Sequence, residues 1–155
     1  MRIMQPQQSA IKAIEEALTE AGWSDGYALS DKEIANAPSP LFYKDATPKS
    51  AADARVVVNG VGRKLYCIYT LLKPDVKYSQ NTVHHTDITV ALTFYFDDAF
   101  TFADGSHHAK FLDALLDELS AEEWAISMSG DERVVSQSDH SPYMYRKVLY
   151  VSNIF

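Results

Sequence analysis

Apolar residues near the start of the chain recur at helical spacing. Ile11, Ile14 and Leu18 stand three and four residues apart, with charged residues between them. Because residues at this spacing share one face of a helix, the pattern predicts an amphipathic helix. Ser9 is the expected N-cap, since a short polar side chain caps the first turn. Gly22 is the expected stop, since glycine readily adopts the left-handed conformation after the last turn.

A second helix is predicted over "SHHAKFLDALLDELSAEE", residues 106–123. Its N-cap is expected at Asp104 or Ser106. The two predicted helices end in similar sequences, "TEAGW" and "AEEW", in which acidic residues lead to Trp23 or Trp124. The apolar stripe of the second helix consists of Phe111, Leu112, Leu115, Leu116 and Leu119.

The clearest strand pattern is "HTDITVALTFYF", residues 85–96, in which apolar and milder residues alternate. Because successive side chains of a strand point to opposite faces, one face is predicted to be buried. The run is longer than the usual strand of about 5–6 residues, so it can extend beyond its own core. The predicted core positions are Ile88, Val90, Leu92, Phe94 and Phe96.

Four further segments have strand patterns, and two polar segments connect them. The strands are "ARVVVNG" (54–60), "RKLYCIYTLLK" (63–73), "WAISMSG" (124–130) and "YMYRKVLYVSNIF" (143–155). The second is apolar on both faces and is therefore predicted to be central. In the last, Tyr145, Lys147, Leu149 and Val151 share one face. "PDVKYSQN" (74–81) is expected to be a connection and "DERVVSQSDHSP" (131–142) a polar loop.

Residues 24–53 have three prolines and few periodic apolar positions. "PLFYKD" is predicted to be a short edge strand, since Pro38 and Pro40 cannot donate to a sheet ladder. The remainder is expected to be a long loop or an interaction segment, because long loops in compact domains usually serve a function.

The order of these elements predicts an α+β fold in a single domain, residues 1–155. We expect one mainly antiparallel β-sheet with two helices packed on one face, and long β-hairpin or strand extensions. The chain has 155 residues and 46% hydrophobic content, which suffices for one buried core.

The charge balance argues against general binding to nucleic acid or to an anionic membrane. The formal net charge is −7, whereas phosphate binding depends on a basic surface. A local basic patch stays open, with Arg55, Arg63, Lys64, Arg146 and Lys147 as its candidates. Neither a signal peptide nor a membrane-spanning segment of about 20 apolar residues is expected.

Cys67 is the single cysteine, so no intramolecular disulfide forms. This usage is typical of an intracellular or virion-assembled protein. Because Cys67 lies within an apolar strand pattern, we interpret it as a buried hydrophobe and not as a catalytic thiol.

Histidines are the candidates for a metal site: His84, His85, His107, His108 and His140. Adjacent strand residues point to opposite faces, so His84 and His85 do not chelate one ion together. His85 and Asp87 share a face and meet a third histidine only if the strand end lies near the second helix. Polar strand and helix ends explain these residues equally, and we assign no metal ligand.

Other polar groups resemble catalytic sets without their spacing. Asp97 and Asp98 mimic a carboxylate pair, but they stand where a strand ends and a turn begins. Asp139, His140 and Ser141 are contiguous, whereas a catalytic triad is assembled from separated positions. "GVGRK" (60–64) has two glycines but lacks phosphate-loop spacing, and a hairpin turn explains it better.

Tyrosines and basic residues of the last strand suit either single-stranded nucleic acid or a protein interface. The candidates are Tyr143, Tyr145, Tyr150, Arg146 and Lys147. The acidic balance favours the protein interface.

The order and texture of the elements from Gln8 to Phe155 resemble tail terminator proteins of long-tailed bacteriophages. The residues that carry the resemblance are "IKAIEEALTEAGW", "HTDITVALTFYF", "FLDALLDELSAEEW" and "YRKVLYVSNIF". Two segments depart from the simplest members by their length, Ser24 to Asp53 and Asp131 to Pro142.

The resemblance implies a non-enzymatic structural protein of the virion neck, assembled in the host cytoplasm, with no catalytic residues and no cofactor. It implies a homohexameric ring that binds the tail tube protein and the head–tail connector, with DNA passing through its lumen. Two alternatives stay open: a small α+β adaptor that binds one protein, and a small metal-dependent enzyme built around His85, Asp87 and another histidine.

Overall fold

The computed structural model describes residues 4–30, 32–33, 39–45, 56–58, 61–63, 65–72, 75–79, 82–96, 109–128, 132–135 and 143–155. The helices are α1 (Met4–Glu20) and α2 (Ala109–Ala121), with a short 3-10 helix at Gly26–Ala28. The strands in chain order are β1 (Ser24–Asp25), β2 (Leu41–Lys44), β3 (Val56–Val58), β4 (Val61–Arg63), β5 (Leu65–Leu71), β6 (Asp75–Ser79), β7 (Thr82–Phe96), β8 (Ala125–Met128), β9 (Glu132–Val135) and β10 (Tyr143–Ile154).

Helix α1 begins earlier than the sequence pattern predicts. It starts at Met4, so Ser9 is an interior residue and its assignment as the N-cap is wrong. Pro6 falls in the first turn, where the missing N–H has no intrahelical acceptor to lose. The apolar stripe is as predicted, because Ile14 and Leu18 are fully buried and Ile11 packs against the same core.

The end of α1 has the geometry of a Schellman motif, as the predicted stop at Gly22 requires. The N–H of Gly22 donates to the carbonyl of Thr19 at 3.1 Å, and the N–H of Trp23 donates to that of Leu18 at 2.9 Å. Gly22 has φ 95°, a left-handed conformation that glycine adopts without a Cβ penalty.

Helix α2 ends in the same motif with a different residue at the left-handed position. The N–H of Glu123 donates to Ser120 at 3.1 Å, and that of Trp124 donates to Leu119 at 3.0 Å. Glu123 has φ 63°, which is uncommon for a residue with a side chain. The similar helix ends inferred from the sequence are therefore the same structure. The predicted N-caps of this helix, Asp104 and Ser106, lie outside the described residues.

The main sheet has eight strands and is mixed but mostly antiparallel. Its path is β1-β2-β5-β7-β10-β8, with β6 beside β7 and β9 beside β10. Only the pairs β1–β2 and β2–β5 are parallel among the described strands. Strands β3 and β4 form a separate hairpin, with Val58 opposite Val61, so residues 61–63 of "GVGRK" form a strand and not the predicted turn.

Both helices pack on one face of this sheet, as predicted. The alternate residues of β7 form the centre of the core, and Ile88, Val90, Leu92, Phe94 and Phe96 are at most 1% exposed. Leu149 and Val151 of β10 face the same core, together with Leu112, Leu115 and Leu119 of α2. The α+β class and its single-faced helical layer are confirmed.

Three predictions about connections are wrong. The supposed loop at 24–30 contains β1 and the 3-10 helix, and the predicted strand "PLFYKD" is present as β2 but lies between β1 and β5 instead of at an edge. Residues 31, 34–38 and 46–53 lie outside the described residues, and the interaction role of 24–53 stays a prediction. The connection 74–81 contains β6, and the polar loop 131–142 contains β9. The sequence did not reveal these short strands because they have little hydrophobic periodicity of their own. Pairing with longer neighbouring strands holds them in the sheet.

Candidate functional site

The histidines and carboxylates proposed for metal or acid–base chemistry do not form a described site. His84 and His85 lie on β7, where His85 pairs with Lys77 of β6. Asp87 pairs with Asp75 on one side and Ile154 on the other. The remaining candidates lie outside the described residues: Asp97, Asp98, His107, His108, Asp139, His140 and Ser141. Within the described ranges no three His, Cys, Asp or Glu side chains come together to hold a metal ion.

The tyrosines and basic residues of β10 are divided between two faces. Tyr145 packs against the helical core and stacks on Phe96, with ring centroids 5.8 Å apart. Tyr150 points to the opposite face and is 46% exposed. A stacking platform for bases needs its rings on one side, so the two described tyrosines do not form one.

Cys67 is fully buried in the core. Burial raises the pKa of its thiol well above the ordinary value, because the charged thiolate loses its hydration. The prediction that Cys67 is a buried hydrophobe is confirmed.

The buried tyrosines of the sheet also act in packing. The hydroxyl of Tyr69 donates to Oε1 of Glu15 at 2.9 Å, which ties β5 to α1. Burial, and then this hydrogen bond, raises the pKa of Tyr69. On the face away from the helices, burial raises the pKa of Tyr43 and Tyr66 to about 12. The ring of Tyr66 stacks on Tyr95 with centroids 5.1 Å apart.

The β6–β7 and β9–β10 hairpins extend from opposite ends of the sheet. Their longer strands, β7 and β10, are neighbours in the middle of the sheet. Strand β7 pairs with β5 over Val90–Phe96 and then with β6 over Thr82–Asp87. Strand β10 pairs with β8 and then with β9 over Tyr143–Arg146. Since β7 and β10 are antiparallel, the part of β7 before Thr86 and the part of β10 before Tyr145 project in opposite directions. The predicted strand extensions are therefore present.

Strand β8 is an edge of the sheet with no neighbour on its outer side among the described strands. Strand β8 is the last in the sheet order and pairs with β10 alone among the described strands. Alternate backbone N–H and C=O groups of an edge strand point away from the sheet and can pair with another chain. Its sequence, "AISM", has none of the lysine or proline residues that commonly block such edges.

Exposed apolar side chains lie around this edge. Met128 is 49% exposed, Tyr150 is 46% and Ile154 is 61%. Ser127 pairs with Tyr150, and Ala125 begins β8 where β10 approaches its end at Ile154. We name this region, Ala125–Met128 with Tyr150 and Ile154, the β8 edge surface. Open backbone groups beside apolar side chains are the features with which one protein adds a strand to another.

Acidic residues lie next to the β8 edge surface. Glu122 and Glu123 are exposed at the end of α2, immediately before Trp124 and β8. A groove of about 370 Å³ between the two helices is lined by Glu16, Glu20, Glu118 and Glu122, with Ala13 and Ala17. This side of the molecule therefore attracts a basic partner and repels an acidic one.

Comparison of the sequence with models of protein families and with curated proteins found no match in either. No helix within the described ranges combines the length and apolar character that a membrane crossing requires. Among the described features, the β8 edge surface has the clearest chemistry for contact with another protein.

The β8 edge surface is the feature that the sequence pattern did not identify. The strand itself is correctly predicted near "WAISMSG", but its position at the edge depends on the sheet order. The sequence signal available was the absence of charge in "AISM", next to the acidic end of α2.

Proposed function

We propose that this protein is a non-enzymatic structural subunit that assembles through its sheet. Its finer assignment is a tail terminator of a long-tailed bacteriophage, located in the virion neck. In this role copies of the chain form a ring, a homohexamer, that caps the tail tube and docks to the head–tail connector. The ring is assembled in the host cytoplasm.

The observation that carries the proposal is the β8 edge surface. Open edge strands in a stable protein invite pairing with another chain, and ring closure pairs such edges between neighbouring subunits. The two hairpins that extend from opposite ends of the sheet supply further length for contacts above and below a ring. The phage assignment itself rests on the order of helices and strands quoted from the sequence.

The net charge of −7 is consistent with this role. An acidic lumen repels the phosphates of DNA, so DNA passes without being held. The tail tube protein and the connector are then recognised by strand pairing and apolar contact, and not through a general electrostatic attraction to nucleic acid.

A one-to-one protein adaptor is the second candidate, and the same edge favours it. An extended segment of a single partner can add to β8 as an extra strand. The two candidates differ in stoichiometry, since an adaptor binds one partner strand and forms no ring.

Size-exclusion chromatography with light scattering tests the proposal, first with the protein alone and then with tail tube protein. We expect a ring in one of the two conditions. Ser127→Lys, which places a charge on the exposed β8 strand, should prevent assembly because a lysine blocks edge pairing. Ser9→Lys makes the same change on the exposed side of α1 and should leave assembly intact.

A protein that stays monomeric in both conditions contradicts the terminator assignment. A stable one-to-one complex without a ring supports the adaptor instead. If Ser9→Lys prevents assembly while Ser127→Lys does not, the β8 edge surface is not the interface.

A further inference from the structure

Among the described strands, the β3–β4 hairpin stands outside the main sheet. Its strands, Val56–Val58 and Val61–Arg63, pair with each other and with no further strand in the described part of the chain. An isolated two-stranded hairpin is marginally stable in water, and three or more strands are usually needed. Its valine-rich sequence has high strand propensity. The hairpin therefore gains stability if another strand or sheet pairs with it.

The charges of the hairpin segment and of α2, which leads into the β8 edge surface, are opposite. Residues 54–64, the hairpin with its flanking residues, contain Arg55, Arg63 and Lys64 and no Asp or Glu. Residues 111–128, which cover most of α2 and all of β8, contain no Lys, Arg or His. Their acidic residues are Asp113, Asp117, Glu118, Glu122 and Glu123. Two surfaces of opposite sign steer each other into contact, and like surfaces repel.

The hairpin cannot reach the β8 edge of its own chain along the sheet. Arg63 ends β4 two residues before Leu65 begins β5, so the hairpin is tethered to β5. Strands β7 and β10 separate β5 from β8. At a spacing of about 4.8 Å between neighbouring strands, β8 lies about 14 Å from β5, whereas the two-residue tether spans at most about 7 Å. The partner that fits is a second copy of the chain.

We propose that the β3–β4 hairpin of one copy pairs with the β8 edge of the next, its basic segment beside the acidic end of α2. The contact joins different surfaces of the two copies, so it is head-to-tail and can close into a ring. The inference rests on the proposed function, because it specifies the interface through which the ring subunits assemble.

Disulfide trapping between two differently tagged chains tests this pairing. One chain carries Met128→Cys on the β8 edge surface. The other carries Val56→Cys or Val57→Cys, two neighbouring strand positions that sample both faces of the hairpin. Native Cys67 is fully buried, so the unsubstituted protein serves as the control without crosslinks. We expect a crosslinked heterodimer in the mixture with one of the two valine variants, and no dimer from any single variant.

A dimer from Met128→Cys alone indicates symmetric β8–β8 pairing and overturns the inference. Rings that give no crosslink in any mixture also overturn it, while the proposed ring function stands. A protein that remains monomeric with and without tail tube protein removes both. The outcomes therefore separate failure of the interface from failure of the function.

Charge reversal provides a second readout that does not depend on introduced cysteines. Arg63→Glu should weaken assembly several-fold, and Glu122→Lys with Glu123→Lys should weaken it similarly. Combining all three changes should restore part of the assembly, because the glutamate introduced at position 63 then lies beside the two introduced lysines. If the combined variant assembles more weakly than either parent, the two charged segments do not meet in the assembly.

Discussion

At both edges of the sheet, a helix ends in a Schellman motif and an edge strand follows, but the two edge strands differ. At one edge α1 ends in a Schellman motif, and Trp23 leads into β1. At the other edge α2 ends in the same motif, and Trp124 leads into β8. Strand β1 is two residues long and turns at once into a 3-10 helix, where Asp25 accepts a hydrogen bond from the N–H of Tyr27. Very short edge strands are a common protection against aggregation.

Strand β8 lacks that protection. It has four residues, and β9 continues along the same side of β10. The helix end therefore determines where an edge strand begins, whereas the residues after it determine whether the edge is closed. The β1 edge is a structural feature, and the β8 edge is the candidate interface.

The largest expected change in the free energy of unfolding comes from replacing Trp23 or Trp124, and it tests whether both side chains anchor their helix ends equally. Trp23 is 2% exposed and Trp124 is 5%. Trp23→Ala and Trp124→Ala should each lower the free energy of unfolding by about 3–5 kcal/mol, because each leaves a large cavity. Urea unfolding followed by circular dichroism measures both. A loss below about 1 kcal/mol at either position means that its ring does not anchor the helix end.

Trp23→Phe is the matched control for the polar part of this anchor. The indole N–H of Trp23 donates to the carbonyl of Phe111 at 3.1 Å and joins the two helices. Phenylalanine keeps much of the apolar contact and loses the donor, so it should cost less than alanine.

The next effect concerns Gly22, the left-handed residue after α1. A Cβ at this position would lie 3.3 Å from the ring of Phe111, and φ is 95°. Gly22→Ala should therefore lower the free energy of unfolding by about 1–2 kcal/mol, the usual cost of left-handed backbone for a residue with a Cβ. The denaturant midpoint measures it, with the exposed Ser9→Ala as control. An unchanged midpoint would show that this turn tolerates a side chain.

A smaller gain is expected at Tyr43, beside the β1 edge. Its ring packs against Gly26 and Tyr27, and its buried hydroxyl has no hydrogen-bond partner among the described residues. Tyr43→Phe should raise the free energy of unfolding by about 1 kcal/mol, because an unsatisfied buried hydroxyl is removed. Destabilisation by Tyr43→Phe would show that the hydroxyl has a stabilising partner.

The same substitution changes the response to alkaline pH. Burial raises the pKa of Tyr43 in the folded protein from 10.0 to about 12. A folded pKa above the unfolded one gives a contribution that is complete below pH 10 and is lost as the pH rises toward 12. Tyr43→Phe should therefore reduce the loss of stability between these pH values, which thermal unfolding at several pH values measures. Tyr66 and Tyr69, whose pKa values are also raised by burial, contribute to the loss that remains.

The smallest expected change in the free energy of unfolding concerns the left-handed residue after each helix, which is Gly22 after α1 and Glu123 after α2. Glu123 is exposed and left-handed where the other motif has glycine. Glu123→Gly should raise the free energy of unfolding by about 0.5–1 kcal/mol, because the Cβ penalty of about 1–2 kcal/mol exceeds the entropic cost of glycine. Glu123→Gln is the control, since it removes the charge and keeps the strain. Equal stability of the glycine and glutamine variants would contradict this explanation.

The parts of the fold that were predicted correctly are those in which the local sequence alone determines which face of an element is buried or where it ends. The alternation from Ile88 to Phe96 identified the core side of β7, because a buried strand face imposes a period of two. Gly22 identified the end of α1 for an equally local reason. The start of α1 was missed, because "MQPQQ" has no apolar periodicity although its residues tolerate the first turn.

Long-range pairing explains the parts that were missed. The sequence of β6, "DVKYS", is largely polar, and its strand conformation depends on pairing with β7. Strand β2 was placed at an edge because of its prolines, but two residues of β1 pair beside it. The β8 edge surface depends likewise on the order of strands, which no single segment encodes. The candidate site was therefore predictable only as a segment, not as an edge.

Cys67 gives this fold a built-in reporter of its own opening. The chain has one cysteine, and it lies at the centre of the core with no exposed surface. A thiol reagent reaches it only in molecules whose sheet and helices have transiently separated, so the labelling rate measures the population of open molecules. If ring assembly stabilises the sheet, labelling in the ring should be slower than in the free subunit. The labelling rate of this one thiol would then compare how often the chain opens in the ring and in the free subunit.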